Sequence, residues 1–72
     1  MMSLDLHGVK HHDVPRKIDE FIWDIMQKKK TQCVIITGKS NTMKDIVKSC
    51  VKDYDAKCFE LFDGGSLVID LF

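Results

Sequence analysis

The sequence has no hydrophobic run long enough to cross a membrane. Its longest uninterrupted apolar stretch, Cys33 to Ile36, covers four residues, whereas a membrane-spanning helix needs about 18. Residues 1–8 also lack the basic and then apolar order that is typical of a signal peptide. We therefore expect a cytoplasmic protein with no membrane partner.

Cysteine and proline are scarce, and neither sign of charge is in excess. The three cysteines, Cys33, Cys50 and Cys58, are widely spaced and never form a C-x-x-C pair, which excludes a disulfide framework and a zinc site of the usual spacing. Eleven basic residues balance 11 acidic ones, which excludes a strong nonspecific binder of polyanions. The balance is uneven along the chain, because residues 1–52 hold 10 of the basic residues but only 6 of the acidic ones.

The pattern of apolar residues predicts the order β-α-β-α-β-β within a single domain, residues 1–72. Short apolar segments predict four strands, and apolar residues at steps of three and four predict two amphipathic helices. Asp13 is the expected cap of the first helix, and residues 40–42 supply cap candidates for the second. The strands are expected at 3–6, 32–37, 57–62 and 67–72, and the helices end near Lys29 and Lys52.

The connections between these elements predict the fold class. Two successive strand-helix-strand steps favour parallel strands joined by right-handed crossovers. The strand at 32–37 is apolar without alternation, which is typical of a strand that is covered on both faces. Gly64 and Gly65 indicate a closing hairpin, because glycine accepts the positive φ angles of tight turns. We predict an α/β fold, a two-layer α/β sandwich with a mixed four-stranded sheet.

Two loops are expected at the carboxyl ends of the parallel strands, where ligands gather in open α/β sheets. The first loop carries Asp5, His7 and Gly8, and the second, residues 37–41, leads into the second helix. A glycine turn at the start of a helix offers free N–H groups and partial positive charge to a phosphate. The spacing excludes a nucleotide-binding P-loop, because no glycine stands five residues before Gly38. Three lysines would add a local basic surface: Lys39, Lys44 and Lys48.

The whole set of segments resembles the Smr (small MutS-related) domain family over almost the entire chain. The first motif of that family, LDLHG, is matched in full at residues 4–8. The second motif, T/H-G-x-G, is matched at residues 37–39, with Ser40 in place of the second glycine. The third motif, G-G-x-G in the last hairpin, keeps only its first two glycines, Gly64 and Gly65.

The resemblance implies a fold similar to the C-terminal domain of bacterial translation initiation factor three and, for many members, an endonuclease that nicks or cleaves DNA or RNA. His7 would act as general acid or base, because imidazole exchanges a proton near neutral pH. Asp5 would orient the imidazole, stabilise its charged form or bind a divalent cation such as magnesium or manganese. The residues expected to hold the phosphate and the nucleic acid are Gly8, Thr37, Gly38, Lys39, Ser40, Lys44, Gly64 and Gly65.

Two alternatives stay open at this point. In the first, the chain is a non-catalytic module that binds RNA, a ribosome-associated complex or a protein, because its second and third motifs depart from the family pattern. In the second, the apolar strand at 67–72 is an exposed edge that forms a homo-oligomer.

Two further segments each have two interpretations. His11 and His12 with Asp13 form either a metal site or, as we prefer, a solvent-exposed loop. Trp23, off the apolar stripe of its helix, is either an aromatic platform for a base or partner or, more commonly, a residue at the margin of the core.

Overall fold

The computed structural model describes residues 2–71, and its order of elements confirms the predicted β-α-β-α-β-β. The first strand has the predicted length but begins one residue earlier, the other three strands are shorter than predicted, and Phe72, included in the last predicted strand, lies outside the described residues. A short 3-10 turn, His11–Asp13, precedes the first helix. The strands are β1 (Met2–Asp5), β2 (Gln32–Ile36), β3 (Lys57–Glu60) and β4 (Ser66–Asp70), and the helices are α1 (Val14–Gln27) and α2 (Asn41–Lys52).

Helix α1 forms where the sequence combines an early proline with a regular apolar stripe. Pro15 lies in its first turn, where its missing N–H group costs nothing. The predicted capping bond of Asp13 is wrong, because Asp13 has helical backbone angles at the end of the 3-10 turn and its carboxylate faces His12 and Arg16 instead. The buried stripe consists of Val14, Ile18, Ile22 and Ile25.

Helix α2 begins with a side-chain cap. The Ser40 hydroxyl accepts a hydrogen bond from the backbone N–H of Met43 at 3.1 Å, and Ser40 itself has extended backbone angles. This geometry is that of an N-cap, which satisfies one of the free N–H groups of the first turn. Met43, Val47 and Val51 then bury one face of the helix against the core.

The sheet is mixed, as predicted, and its last strand lies inside the sheet. β1 and β2 are parallel, whereas β4 pairs antiparallel with both β2 and β3, giving the order β1-β2-β4-β3. β3 therefore runs parallel to β2 without touching it. The prediction of an exposed C-terminal edge strand is wrong, because β4 lies between two neighbours that pair with its backbone. The argument for a homo-oligomer formed through this strand therefore no longer holds.

The core lies between the two helices and one face of the sheet. Cys33, Ile35, Leu67 and Ile69 are fully buried on that face. On the opposite face Val34, Ile36 and Val68 are only half-buried. The prediction that β2 is covered on both faces is therefore wrong. Within residues 2–71, no helix has the length and apolar character that crossing a membrane requires.

Candidate functional site

Three loops meet at the carboxyl ends of β1 and β2. The backbone N–H of Leu6 donates to the Ile36 carbonyl at 2.8 Å, which joins the turn after β1 to the end of β2. The N–H groups of Thr37 and Gly38 both donate to the Gly65 carbonyl, at 2.9 and 3.0 Å, which joins the loop after β2 to the β3–β4 turn. We call these three segments, residues 6–9, 37–40 and 61–65, the loop cluster. The cluster brings together parts of all three sequence motifs.

The turn after β1 is held by Asp5. Its Oδ1 accepts a hydrogen bond from the backbone N–H of His7 at 2.9 Å. The Val9 N–H donates to the Leu6 carbonyl at 3.0 Å, and Gly8 has a φ of 81°, which favours glycine. Asp5 and His7 are both exposed, but no ion pair joins the Asp5 carboxylate to the imidazole among the described residues. In this structure Asp5 therefore orients the backbone of His7 and not its ring.

The imidazole of His7 lies beside Gly38. A Cβ placed on Gly38 would be 3.4 Å from His7 Cδ2, which is a tight contact. Gly38 also has a φ of 67°, in the left-handed region. Glycine is needed at this position for two reasons, the backbone conformation and the space that the histidine ring occupies.

The two glycines of the β3–β4 turn serve the turn itself. Gly64 N–H donates to the Leu61 carbonyl at 3.1 Å, and Gly65 N–H donates to Asp63 Oδ1 at 2.8 Å. A Cβ on Gly65 would lie 3.7 Å from Gly38 Cα, so the two glycine backbones pack together. The N–H groups of Gly38, Gly64 and Gly65 are thus already used within the protein. These residues shape the loop cluster and offer no free N–H group to a phosphate.

Free backbone N–H groups lie directly after Gly38 in the chain. Among residues 2–71, the backbone N–H groups of residues 39–42 donate no hydrogen bond, whereas that of Met43 is taken by the Ser40 cap. These groups form the exposed start of α2, where the helix dipole adds partial positive charge. Lys39 is exposed beside them. The Thr37 hydroxyl donates to the Gly38 carbonyl at 2.8 Å, so it is used within the protein and is not free to bind a phosphate.

The lysines of α2 contribute less positive charge than the sequence indicates. Lys44 is only 8% exposed, so most of its stem is buried. Lys48 Nζ lies 3.2 Å from Glu60 Oε1 on β3, and this pair offsets the charge of Lys48. Lys39 is therefore the lysine of the predicted basic surface that combines an exposed position with a place in the loop cluster.

The remaining candidates lie outside the loop cluster. His11 and His12 are exposed, as preferred, and His12 Nε2 lies 3.4 Å from Asp13 Oδ1. Across residues 2–71, no group of three or more His, Cys, Asp and Glu side chains could hold a metal ion. Trp23 is 65% exposed on α1, outside the loop cluster, and both interpretations of this residue stay predictions.

The cysteines are not suited to nucleophilic chemistry at neutral pH. Burial, and to a lesser extent the neighbouring Cys58, raise the pKa of the Cys33 thiol to about 11. Burial is also the main cause that raises the pKa values of Cys50 and Cys58. Because the thiolate is the reactive form, these thiols are inert structural groups.

One residue of the loop cluster, Phe62, escapes the sequence reasoning, whereas Asp63 lies in the predicted turn. Asp63 holds the β3–β4 turn through bonds from Gly65 N–H and the Ser66 hydroxyl, at 2.8 and 3.4 Å. Phe62 is fully exposed at the same turn. The sequence places Phe62 inside a strand, but β3 ends at Glu60.

Comparison with known proteins gives one match. The family model described as Smr domain matches residues 4–61 of the 72-residue chain. The matched range includes the first two motifs and ends before Gly64 and Gly65. No curated protein and no solved structure shows significant similarity. The predicted likeness to the C-terminal domain of translation initiation factor three stays a prediction.

Proposed function

Because the chain belongs to the Smr domain family, whose members bind nucleic acids, we propose that it is an endonuclease that cleaves RNA or DNA phosphodiester bonds at the loop cluster. The observation that carries this proposal is the position of His7. Its imidazole lies against Gly38, immediately before the free N–H groups at the start of α2. A proton-transfer group and a phosphate-binding element are thus side by side, with residues 1–72 acting as one domain.

Binding of the phosphate is assigned to the start of α2. The free N–H groups of residues 39–42 point out of the helix end, and an anion there gains hydrogen bonds together with the favourable end of the dipole. Lys39 adds a full positive charge from an exposed position. Each of these interactions strengthens as negative charge builds up on the phosphoryl oxygens during cleavage. Gly38, Gly64 and Gly65 support this element by fixing the loops.

Proton transfer is assigned to His7. Breaking a phosphodiester bond requires one group to take the proton of the nucleophile and one to protonate the leaving oxygen, and imidazole can serve either step. Asp5 acts as a positioning residue, because its bond to the His7 N–H fixes the turn that presents the ring. Its Oδ1 is committed to that bond, and the described residues form no cluster of metal ligands. No step is therefore assigned to a protein-held metal ion.

A cleavage assay tests this proposal. Labelled single-stranded RNA, single-stranded DNA and supercoiled plasmid are incubated with wild type, with and without magnesium or manganese. His12→Ala is the matched control, since His12 is an exposed histidine outside the loop cluster. We expect wild type and His12→Ala to give the same products and His7→Ala to give none, at unchanged melting temperature. Equal cleavage by His7→Ala would show that the assignment is wrong.

The alternative is a module that binds RNA, a ribosome-associated complex or a protein without cutting. One observation favours it, because Asp5 is bonded to backbone and no carboxylate orients the His7 ring. In this case wild type binds a labelled RNA with strong salt dependence and yields no product under any divalent ion. Lys39→Glu loses that binding, whereas retained binding by Lys39→Glu would speak against the start of α2 as the contact.

A further inference from the structure

Phe62 is an unusual residue for the surface of so small a domain. Its side chain is fully exposed, whereas thirteen other apolar residues form a buried core. Full exposure of a phenylalanine leaves its large apolar surface in water, a cost that a buried or edge position would avoid. The ring is therefore free to contact another molecule.

The backbone that presents Phe62 is held on both sides. Leu61 N–H donates to the Ser66 carbonyl at 3.0 Å, and Gly64 N–H donates to the Leu61 carbonyl at 3.1 Å, so the turn is closed around Phe62. Asp63 adds bonds from Gly65 N–H and the Ser66 hydroxyl. An aromatic ring on a fixed turn loses little conformational freedom when it binds a ligand.

The same turn belongs to the loop cluster. Phe62 is three residues from Gly65, so their Cα atoms are at most about 11 Å apart. Gly65 in turn contacts Gly38 and accepts the N–H bonds of Thr37 and Gly38. The turn that carries the exposed ring is thus bonded directly to the loop that contacts the His7 imidazole and that leads into the free N–H groups of α2.

We propose that Phe62 stacks on an unpaired nucleobase next to the phosphate bound at the start of α2, so that the domain selects single-stranded nucleic acid over a perfect duplex. This inference rests on the proposed function and names its substrate class. An aromatic ring stacks on any exposed base face, which fits a site without a base-reading groove. In a duplex those faces are covered by neighbouring bases, so Phe62 has nothing to stack on.

The chemistry around the ring favours a base over an apolar protein surface. Glu60 and Asp63 flank Leu61 and Phe62 and interrupt the apolar surface. Both carboxylates are engaged within the protein, Glu60 by Lys48 and Asp63 by Gly65 and Ser66. Phe59 and Leu61 lie close by along the chain but are partly covered, at 55% and 38% exposed, so Phe62 is the ring of this segment that stands fully in solvent, as one stacked nucleotide requires.

Binding measurements with matched variants test the inference. A labelled single-stranded oligonucleotide and its duplex are titrated with wild type, Phe62→Ala, Phe62→Tyr and Trp23→Ala, using fluorescence anisotropy. Trp23 is the control because it is an exposed aromatic residue about nine residues into α1, roughly 14 Å along the helix from its start. Removing one stacked base contact weakens binding about 5- to 150-fold.

The expected pattern is specific. Phe62→Ala loses that factor on the single strand and less than about twofold on the duplex, Phe62→Tyr keeps the affinity, and Trp23→Ala matches wild type. Equal binding of the single strand by wild type and Phe62→Ala overturns the inference, and so does an equal loss on both substrates. If wild type and Phe62→Ala both cleave normally, the proposed function is unaffected. Wild type that binds neither substrate contradicts the proposed function itself.

A second measurement detects the contact directly. In the variant Trp23→Phe with Phe62→Trp, the chain has a single tryptophan, placed at the turn. We expect its fluorescence to be quenched by a single-stranded oligonucleotide and to stay unchanged with duplex. A lack of quenching under conditions in which anisotropy shows binding would contradict stacking at this position.

Discussion

Comparing Gly38→Ala with Gly64→Ala separates the cost of a strained backbone from the cost of displacing the His7 ring. Gly38 and Gly64 both have left-handed backbone conformations, with φ angles of 67° and 72°. Alanine in this region costs about 1–2 kcal/mol at either position. The two sites differ in their surroundings, since a Cβ on Gly38 would lie 3.4 Å from His7 Cδ2 whereas nothing lies within 4 Å at Gly64.

The two variants should therefore lose similar stability but different amounts of activity. A loss of 1 kcal/mol lowers the melting temperature of a domain this size by about 4–8 °C, which circular dichroism measures readily. In Gly38→Ala the His7 ring must shift by a few tenths of an ångström. A shift of 1 Å costs about 100-fold in rate, so we expect a loss of roughly 10-fold in single-turnover cleavage. Gly64→Ala should cleave near the wild-type rate.

The assay compares cleavage at a temperature at which both variants are fully folded. Equal rates for the two variants, with equal melting temperatures, would refute the contact between Gly38 and His7 as a functional constraint. A much larger loss of stability in Gly38→Ala than in Gly64→Ala would mean that the ring cannot move aside. That result would place the effect in folding and not in catalysis.

Two further predictions concern stability. Ser40→Ala removes the cap of α2 and should lower the free energy of unfolding by about 1 kcal/mol in urea titrations, whereas Ser40→Gly, which restores the glycine of the family motif, should cost only a few tenths; an unchanged free energy of unfolding in Ser40→Ala would argue against the hydrogen bond from Met43 N–H. The raised pKa of Cys33, about 11 against an ordinary value of 9.0, predicts stability that is fully present below pH 9 and is lost as the pH rises towards 11. The urea midpoint should fall over that range, and Cys33 should resist iodoacetamide at pH 8; rapid labelling in the native state would show that the thiol is not buried.

The elements and the motif residues could be predicted because they depend on local patterns. Apolar periodicity placed both helices, and the cap candidates at residues 40–42 include Ser40, the N-cap of α2. The strand order was not accessible in this way. Insertion of β4 between β2 and β3 depends on pairing across the whole sheet, and no short-range signal records it.

The faces of β2 show a related limit. An apolar run of β-branched residues is expected for a strand covered on two sides, yet the same residues occur here with one face half-exposed. The sheet has helices on one side, so Val34 and Ile36 remain partly in contact with solvent. Hydrophobicity alone does not tell these two situations apart.

The sequence predicted which residues form the candidate site but not which role each of them has. Asp5, His7 and Gly38 do come together, yet the backbone bonds decide which groups remain available. The pairing of Lys48 with Glu60 and the bonds of Thr37 and Gly38 to Gly65 connect distant parts of the chain. Such contacts follow from the fold, so sequence reasoning assigned phosphate binding to glycines that are already engaged.

The most direct test of the account is an NMR titration of the ¹⁵N-labelled protein with a single-stranded oligonucleotide. The account predicts that the largest amide shift changes fall on residues 39–42, whose N–H groups donate no bond within residues 2–71, and on the adjacent His7 and Gly8. Changes confined to the second half of α1, or to the face of the sheet that carries Val34 and Val68, would contradict it.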